Sequence, residues 1–155
     1  MDIKVVAFDP GRTTGYAMGD IDEKGKMLVV TGQVEFTRAA LLTQLEWYDP
    51  DVIVYERFDF RRSNRYQRDK VDLYPRELIG IIELYGETHS GSVRLDTQSA
   101  SAAKGYFTDR KLKEDGVYKP GKPHANDAAR HLCHWFTFGP GYKYNVEGIE
   151  SGRGG

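Results

Sequence analysis

The most informative feature of this sequence is a single carboxylate followed by two closely spaced glycines. Residues 5–8 are apolar and typical of a strand buried in a sheet, and that strand ends at Asp9. Gly11 and Gly15 lack side chains, so we expect room above the carboxylate for a phosphate group or a metal ion. The alternative is a β-hairpin in which Asp9 only begins a turn. The functional interpretation is metal-dependent phosphate chemistry.

A second predicted strand also ends on an acid. Residues 52–55 form a short apolar run, and Glu56 stands at its end. Adjacent strands lie about 4.8 Å apart, close to the ~3.5–4 Å between the ions of a two-metal site. Two bare carboxylates at that distance repel each other, which raises the pKa of at least one until a cation is bound. The alternative is a salt bridge from Glu56 to Arg57 or another nearby arginine.

A third candidate is a His-x-x-Asp pair late in the chain. A helix predicted over residues 124–136 places His124 and Asp127 on one face, and three alanines let that helix lie close to a sheet. A capping or surface pair is the commoner explanation of this spacing. His131 and His134 extend a similar face, but we interpret them as packing or hydrogen-bonding residues. Their imidazoles lie roughly 5–11 Å from Asp127 along the helix axis.

The rest of the pattern predicts an α/β domain that positions these residues. Three adjacent strands, followed by alternating helices and strands, indicate a mixed sheet flanked by helices. The expected strands lie near residues 3–9, 14–19, 27–36, 52–56 and 93–96. The expected helices lie near residues 38–47, 71–89, 97 onward and 124–136, with an irregular Lys-rich stretch before the last. Residues 1–138 are expected to form one domain, and residues 139–155 a flexible Gly-rich tail.

Composition excludes several classes of protein. The chain has 155 residues, enough for one domain with a real core, and no apolar run near the ~20 residues of a membrane span. Cys133 is the single cysteine, so no internal disulfide can form, which suits a reducing cytoplasm. The net charge of −1 gives no indication of nucleic acid. We therefore expect a cytoplasmic protein without membrane association.

The local distribution of charge does indicate nucleic acid. Residues 57–70 contain six Lys or Arg against two acids, and residues 104–122 contain six against three. Arginine binds phosphates and aromatic rings stack on exposed bases. The alternative is an ordinary solvated loop. The predicted DNA contacts are Arg57, Phe58, Phe60, Arg61, Arg62, Arg65, Tyr66, Arg68, Lys70, Lys111 and Lys113.

Taken together, these segments resemble a known nuclease family. Asp-Pro-Gly-x-x-Thr-Gly-Tyr-Ala from Asp9, the strand-final Glu56 and His-x-x-Asp-Ala from His124 are similar to the RuvC-like Holliday-junction resolvases, particularly their bacteriophage members. The resemblance spans residues 3–136 in element order. It implies a ribonuclease H-like fold, with a central mixed five-stranded sheet flanked by helices, and an endonuclease that cuts four-way DNA junctions by paired symmetric nicks. For a phage protein, the location would be the host cytoplasm.

The resemblance also implies a catalytic site. Asp9, Glu56, His124 and Asp127 match the positions that hold two divalent metal ions, and Lys104 is a weaker match to a basic residue near the scissile phosphate. One ion would activate a water and the other would stabilise the departing 3′ oxygen. The expected ions are Mg²⁺ or Mn²⁺. An imidazole at His124, where the family often has an acid, favours Mn²⁺.

Two cuts in a two-fold junction also imply a homodimer. The helix predicted from Val71 has one apolar stripe that can pack on the sheet and a narrower second one available for a twin helix. The alternative is a single helix wedged between sheet and loops. The first stripe comprises Val71, Tyr74, Leu78, Ile81, Ile82 and Tyr85, and the second comprises Leu73, Gly80 and Leu84.

Three other functions are compatible with parts of this pattern. Actin-type and sugar-kinase ATPases share the Asp-x-Gly-x-x-x-Gly spacing, but they usually need two such domains and a second phosphate loop. A nuclease for flaps, other branched DNA or structured RNA would use the same metal site. A non-catalytic DNA-binding module would keep the acids as structural residues. Metal-dependent cleavage and its substrate preference distinguish these functions from junction resolution.

Overall fold

A mixed sheet forms the centre of the protein. The computed structural model describes residues 2–58 and 72–139 and the backbone of 149–151. Within these residues the strands follow the order β5-β4-β1-β2-β3-β6 across the sheet. Strands β1, β4 and β5 are mutually parallel, and β1, β2 and β3 are antiparallel neighbours. The strands are β1 (Ile3–Asp9), β2 (Thr14–Ile21), β3 (Met27–Val34), β4 (Val52–Glu56), β5 (Arg94–Gln98) and β6 (Ile149–Ser151).

The five predicted strands are confirmed, and β6 is an addition. β6 pairs in parallel with β3, at the edge of the sheet. It comes from the segment expected to be a flexible tail. An edge strand offers unpaired backbone N–H and C=O groups, so even three residues of the tail gain hydrogen bonds there. β5 also continues to Gln98, two residues beyond its predicted end.

Five helices lie within the described residues. They are α1 (Arg38–Tyr48), α2 (Tyr74–Thr88), α3 (Ala100–Tyr106), α4 (Asp109–Glu114) and α5 (Pro123–Phe138). The sequence did not predict α4, which lies in the Lys-rich stretch expected to be irregular. Its first turn is capped by the Thr108 hydroxyl, which accepts a hydrogen bond from the Lys111 N–H. None of the described helices is long and apolar enough to cross a membrane.

The alternation of side chains along β1 divides the core into two layers. Val5 and Ala7 pack under α5, whereas Val6 and Phe8 face the opposite side, against α1 and α2. Asp9 continues the odd-numbered set, because successive side chains of a strand point to opposite faces. The same alternation along β4 assigns Glu56 to the face of Val52 and Val54. Both acids are therefore directed to the α5 side of the sheet.

The first turn of α5 lies directly on β2. A Cβ atom added at Gly15 would come within 1.8 Å of the His124 carbonyl oxygen. The expectation that Gly15 leaves room for a ligand is therefore wrong, because the backbone of α5 fills that space. Gly15 pairs with Asp9 in the β1–β2 register. The glycine thus lets the helix begin beside the carboxylate.

The two apolar stripes predicted on α2 have different environments. Leu78, Ile82 and Tyr85 are buried in the core layer shared with α1, while Val71 lies outside the described residues. On the second stripe, Leu73 and Leu84 are 52% and 53% exposed. A Cβ atom at Gly80, between them, would meet no atom of the described residues within 4 Å. The second stripe is thus open on the surface of the chain.

The contrast between two glycines gives a test of the α5 contact. We expect Gly15→Ala to lower the free energy of unfolding by about 1–3 kcal/mol, because α5 must move away from β2 to accommodate the methyl group. Gly105→Ala, in α3, is the matched control. It should be neutral or stabilising by up to about 1 kcal/mol, because alanine favours the helix and has free space there. Urea unfolding measures both changes, and equal stability of Gly15→Ala and wild type would contradict the packing.

Candidate active site

Asp9 and Glu56 lie side by side at the carboxyl ends of β1 and β4. The parallel register pairs Phe8 with Tyr55, so the acids that follow them are neighbours. Burial, together with the charges of Glu56 and Asp127, raises the pKa of Asp9 to about 6 against the opposing effect of His124. The three carboxylates are thus close enough to repel one another. The predicted meeting of two acids at this edge of the sheet is confirmed.

The first turn of α5 brings His124 to Asp9. Nδ1 of His124 lies 3.2 Å from Oδ2 of Asp9. The start of the helix is fixed by Gln33 of β3, whose Oε1 accepts hydrogen bonds from the backbone N–H groups of His124 and Ala125 at 3.1 and 3.3 Å. Gln33 therefore caps the free N–H groups of this helix end. The imidazole is half-buried, with one nitrogen directed at the carboxylate.

Glu56 is held by a residue that the sequence analysis placed outside the site. Nε2 of His131 lies 3.0 Å from Oε2 of Glu56, and Nδ1 of His131 lies 2.8 Å from Oε1 of Gln98. Although burial favours a higher pKa for Glu56, its contacts with His131 lower that pKa below the usual value. His131 is thus a hydrogen-bonding residue, as predicted, but its partner belongs to the site. Its position seven residues after His124, on the same helix face, was the available signal.

Asp127 is held by cations and not by His124. Its Oδ1 accepts a 2.7 Å hydrogen bond from Arg130, and its Oδ2 lies 3.8 Å from Nζ of Lys104. Burial raises the pKa of Asp127, and Lys104 opposes that rise. The two members of the His-x-x-Asp pair share a helix face but have different partners. Lys104 thus lies beside Asp127, and its role near a scissile phosphate stays a prediction.

Sequence reasoning missed Arg130, which lies buried in α5. Its Nε donates to the Phe107 carbonyl oxygen at 2.7 Å, and its other nitrogens donate to Asp127 and Asp109. A buried guanidinium needs such partners, because an unpaired charge away from water is costly. An arginine among the small and apolar residues of this helix was the only signal in the sequence. Arg130 ties Asp127 to the segment between α3 and α4.

A cavity of about 290 Å³ adjoins Asp127. Both cationic and acidic side chains line it, so its charges largely compensate one another. Its lining residues are Asp109, Tyr118, Gly121, Lys122, Pro123, Asn126, Asp127 and Arg130.

The predicted DNA contacts are only partly within the described structure. Arg57 and Lys113 are exposed, and Lys111 is half-buried. Nζ of Lys113 lies 4.7 Å from the centre of the Tyr118 ring. Phe58 packs against the core layer of α1 and α2, an arrangement in which its ring is not free to stack on a base. The other predicted contacts, Phe60, Arg61, Arg62, Arg65, Tyr66, Arg68 and Lys70, lie outside the described residues.

The carboxylates of Asp9, Glu56 and Asp127 and the imidazole of His124 suit a divalent cation, although each of these side chains is already paired with another group. Carboxylate oxygens suit Mg²⁺ or Mn²⁺, and the His124 imidazole favours Mn²⁺. Repulsion among Asp9, Glu56 and Asp127 would be relieved by a bound cation. In residues 2–58 and 72–139, no three carboxylate, imidazole or thiol groups form a ready ligand cluster. Binding would therefore require Asp9 or Asp127 to exchange a present partner for the metal.

The fold is shared with Holliday-junction resolvases of solved structure. Thermus thermophilus RuvC gives a TM-score of 0.62 at 15% sequence identity, over 88% of this chain and 97% of that chain. T. thermophilus RuvC in complex with a Holliday junction substrate gives 0.64 at the same identity and coverage. The yeast mitochondrial Holliday junction resolvase Ydc2 gives 0.57 at 15% identity, over 86% of this chain and 78% of that chain.

These likenesses confirm the predicted fold class. No protein-family model matches the sequence, and no curated protein is detectably similar. At 15% identity, the structural comparison establishes the fold alone. The chain therefore has the ribonuclease H-like fold, with its three acids at the carboxyl edge of the parallel strands and the start of α5.

The raised pKa of Asp9 predicts that Asp9→Asn stabilises the metal-free protein at neutral pH. Folding raises this pKa from 3.8 to about 6, so the unfolded chain ionises first and wild-type stability falls between those pH values. The variant lacks this penalty, which at about 1.4 kcal/mol per pKa unit is about 3 kcal/mol above pH 6. Urea unfolding in EDTA should show a larger gain near pH 8 than near pH 4.5.

Glu87→Gln is the control for this measurement, because Glu87 is an exposed carboxylate on α2. Its effect on the free energy of unfolding should be small at both pH values. A gain in Asp9→Asn that is the same in acid and at neutral pH would contradict the raised pKa.

Proposed function

We propose that this protein is a metal-dependent DNA endonuclease that resolves four-way junctions by paired symmetric nicks. The observation that carries the proposal is the convergence of Asp9, Glu56 and Asp127, where burial and the charges of the other two acids raise the pKa of Asp9. Such a group of carboxylates is stable when a divalent cation neutralises it. The site lies on a fold shared with resolvases, one of which was solved with a Holliday junction substrate.

The proposed ligands of two Mg²⁺ or Mn²⁺ ions are Asp9, Glu56, His124 and Asp127. When bound, such ions supply an activated water and stabilise the departing 3′ oxygen. Asp9 lies between Glu56 and His124, which gives it the central position. Lys104 lies beside Asp127 with its side chain 55% exposed. Its ammonium group is therefore available to a phosphate oxygen of the DNA, in keeping with its proposed catalytic role.

The proposed DNA contacts extend from the end of β4 and from α4. Arg57 follows Glu56 directly, and seven further contacts come from residues 60–70. Lys111 and Lys113 belong to α4, which is linked to the site because Asp109 of the same helix pairs with Arg130. A net positive segment beside a carboxylate site can attract the phosphate backbone without drawing it onto the acids themselves. Aromatic stacking is assigned to Phe60 and Tyr66, with Phe58 contributing only if it leaves the core.

We also propose that the protein acts as a homodimer through the second stripe of α2. Leu73 and Leu84 are large, apolar and more than half exposed, and Gly80 lets another backbone approach. Burial of exposed leucines against a second copy would remove apolar surface from water. Two-fold symmetry would then present two sites to the two strands that must be cut.

The central test is cleavage of a synthetic four-way junction by Asp9→Asn. We expect loss of cleavage by at least about a thousandfold with Mg²⁺ or Mn²⁺, because the central ligand is gone. Junction binding should be unchanged or tighter, because a negative charge is removed from the DNA-facing site. End-labelled strands resolved on a denaturing gel give the cuts, and a mobility shift in Ca²⁺ gives the binding.

Asp20→Asn is the matched control, since Asp20 is an exposed acid at the opposite end of β2, paired with Lys4. It should cut the junction as wild type does. Paired symmetric nicks in the junction and none in linear duplex would support resolution. Preferential cutting of flaps or RNA would replace the proposed substrate, and tight junction binding with no cleavage would refute the enzymatic function.

Dimerisation has a separate test. Leu84→Asp should shift the protein to a monomer at micromolar concentration, because the new charge would be buried against the second copy. Trp47→Asp, at an exposed apolar side chain of α1 outside the stripe, is the control. Sedimentation with and without junction DNA measures the mass. A wild-type monomer in the presence of DNA would be incompatible with the proposed interface.

A further inference from the structure

Gln98 holds His131 at two points. It lies opposite Glu56 in the β4–β5 register, and both Gln98 and His131 are buried. Nε2 of Gln98 donates to the His131 backbone carbonyl oxygen at 3.1 Å. Oε1 of the same amide lies 2.8 Å from Nδ1 of the His131 ring. One side-chain amide therefore fixes both the main chain and the imidazole of this residue.

This double contact determines which ring atom carries hydrogen. The His131 carbonyl oxygen can only accept, so it requires the NH₂ group of Gln98 and leaves the amide oxygen facing the ring. Nδ1 must then donate to that oxygen. Nε2 meets a carboxylate oxygen of Glu56 at 3.0 Å, so a hydrogen must also lie between these two atoms. The imidazolium form of His131, which carries hydrogen on both ring nitrogens, donates to Gln98 and to Glu56 at once.

The same contacts fix the orientation of Glu56. Its side chain is only 23% exposed, and that of His131 is 2% exposed, so neither has much freedom to adopt another rotamer. Oε2 of Glu56 is occupied by the imidazole, while the carboxylate also interacts with Asp9. Outer groups of this kind orient metal ligands, and their loss typically costs about 10–100-fold in metal affinity or activity.

We propose that His131, anchored by Gln98, is a positioning residue that fixes the Glu56 carboxylate for metal binding. The inference rests on the proposed function for the role of Glu56 and extends it to two residues outside the four ligands. His131 touches neither metal nor DNA in this role. It acts by holding Oε2 of Glu56, which leaves the other carboxylate oxygen available to a cation.

The test compares His131→Leu, which has no hydrogen-bonding group, with His131→Gln, whose amide N–H can take the place of Nε2. Mn²⁺ affinity of the full chain is measured by calorimetry without DNA. We expect a 10–100-fold weaker affinity in His131→Leu and recovery of most of this loss in His131→Gln. Junction cleavage at saturating Mn²⁺ should show a lower kcat in His131→Leu, with KM for the junction unchanged.

His134→Leu is the matched control, since His134 lies one turn further along α5, half-buried, with its ring against Phe138. Its Mn²⁺ affinity and kcat should equal those of wild type. Wild-type affinity in a folded His131→Leu, or equal losses in His131→Leu and His131→Gln, would overturn the inference. The second outcome would mean that the ring serves only packing.

Thermal unfolding of each variant identifies a folding defect. If His131→Leu does not fold, Gln98→Leu takes its place, with the same expected loss of Mn²⁺ affinity, and an unchanged affinity would overturn the inference. Mn²⁺ binding without DNA cleavage in wild type would refute the proposed function alone, since the comparison of affinities would still decide the role of His131. Absence of Mn²⁺ binding in wild type would overturn the inference. The junction-cleavage assay would still test the proposed function separately.

Discussion

The contact between the start of α5 and Gly15 is the constraint on which the rest of the site depends. The helix backbone occupies the space of a missing side chain on β2, beside Asp9 of the neighbouring strand. From this starting point, successive turns of α5 deliver His124 to Asp9 and His131 to Glu56. A single close approach of helix and sheet thus brings together residues 115 and 75 positions apart in the chain.

The site balances negative charge with partners supplied mainly by α5. Three carboxylates repel one another, and burial strengthens that repulsion. Each carboxylate has a different partner: His124 for Asp9, His131 for Glu56, and Arg130 with Lys104 for Asp127. Without a cation, these contacts keep the acids together in the folded chain. The same contacts mean that a cation must displace or share some of these partners, which links metal binding to local side-chain rearrangement.

Strand alternation explains why the two principal acids were predictable. Asp9 and Glu56 each follow an apolar run. Asp9 shares its face of the strand with Val5 and Ala7, and Glu56 shares its face with Val52 and Val54. Neighbouring parallel strands then bring their carboxyl ends to one edge. The prediction of open space above Gly15 was wrong because it depended on a contact between distant segments. A glycine in a strand signals a close approach, but its sequence does not reveal whether a ligand or another backbone approaches.

The sequence by itself determined where the five main strands lie along the chain, the positions of Asp9 and Glu56 at strand ends, and the helix that carries His124 and Asp127. These features depend on local periodicity and on strand ends, which neighbouring residues specify. Only the tertiary structure decided the partners of Asp127, the contact of His131 with Glu56 through Gln98, and the occupation of the space above Gly15. Those features depend on how α5 lies across three strands, and distances between distant segments are not encoded in the spacing of residues within any one of them.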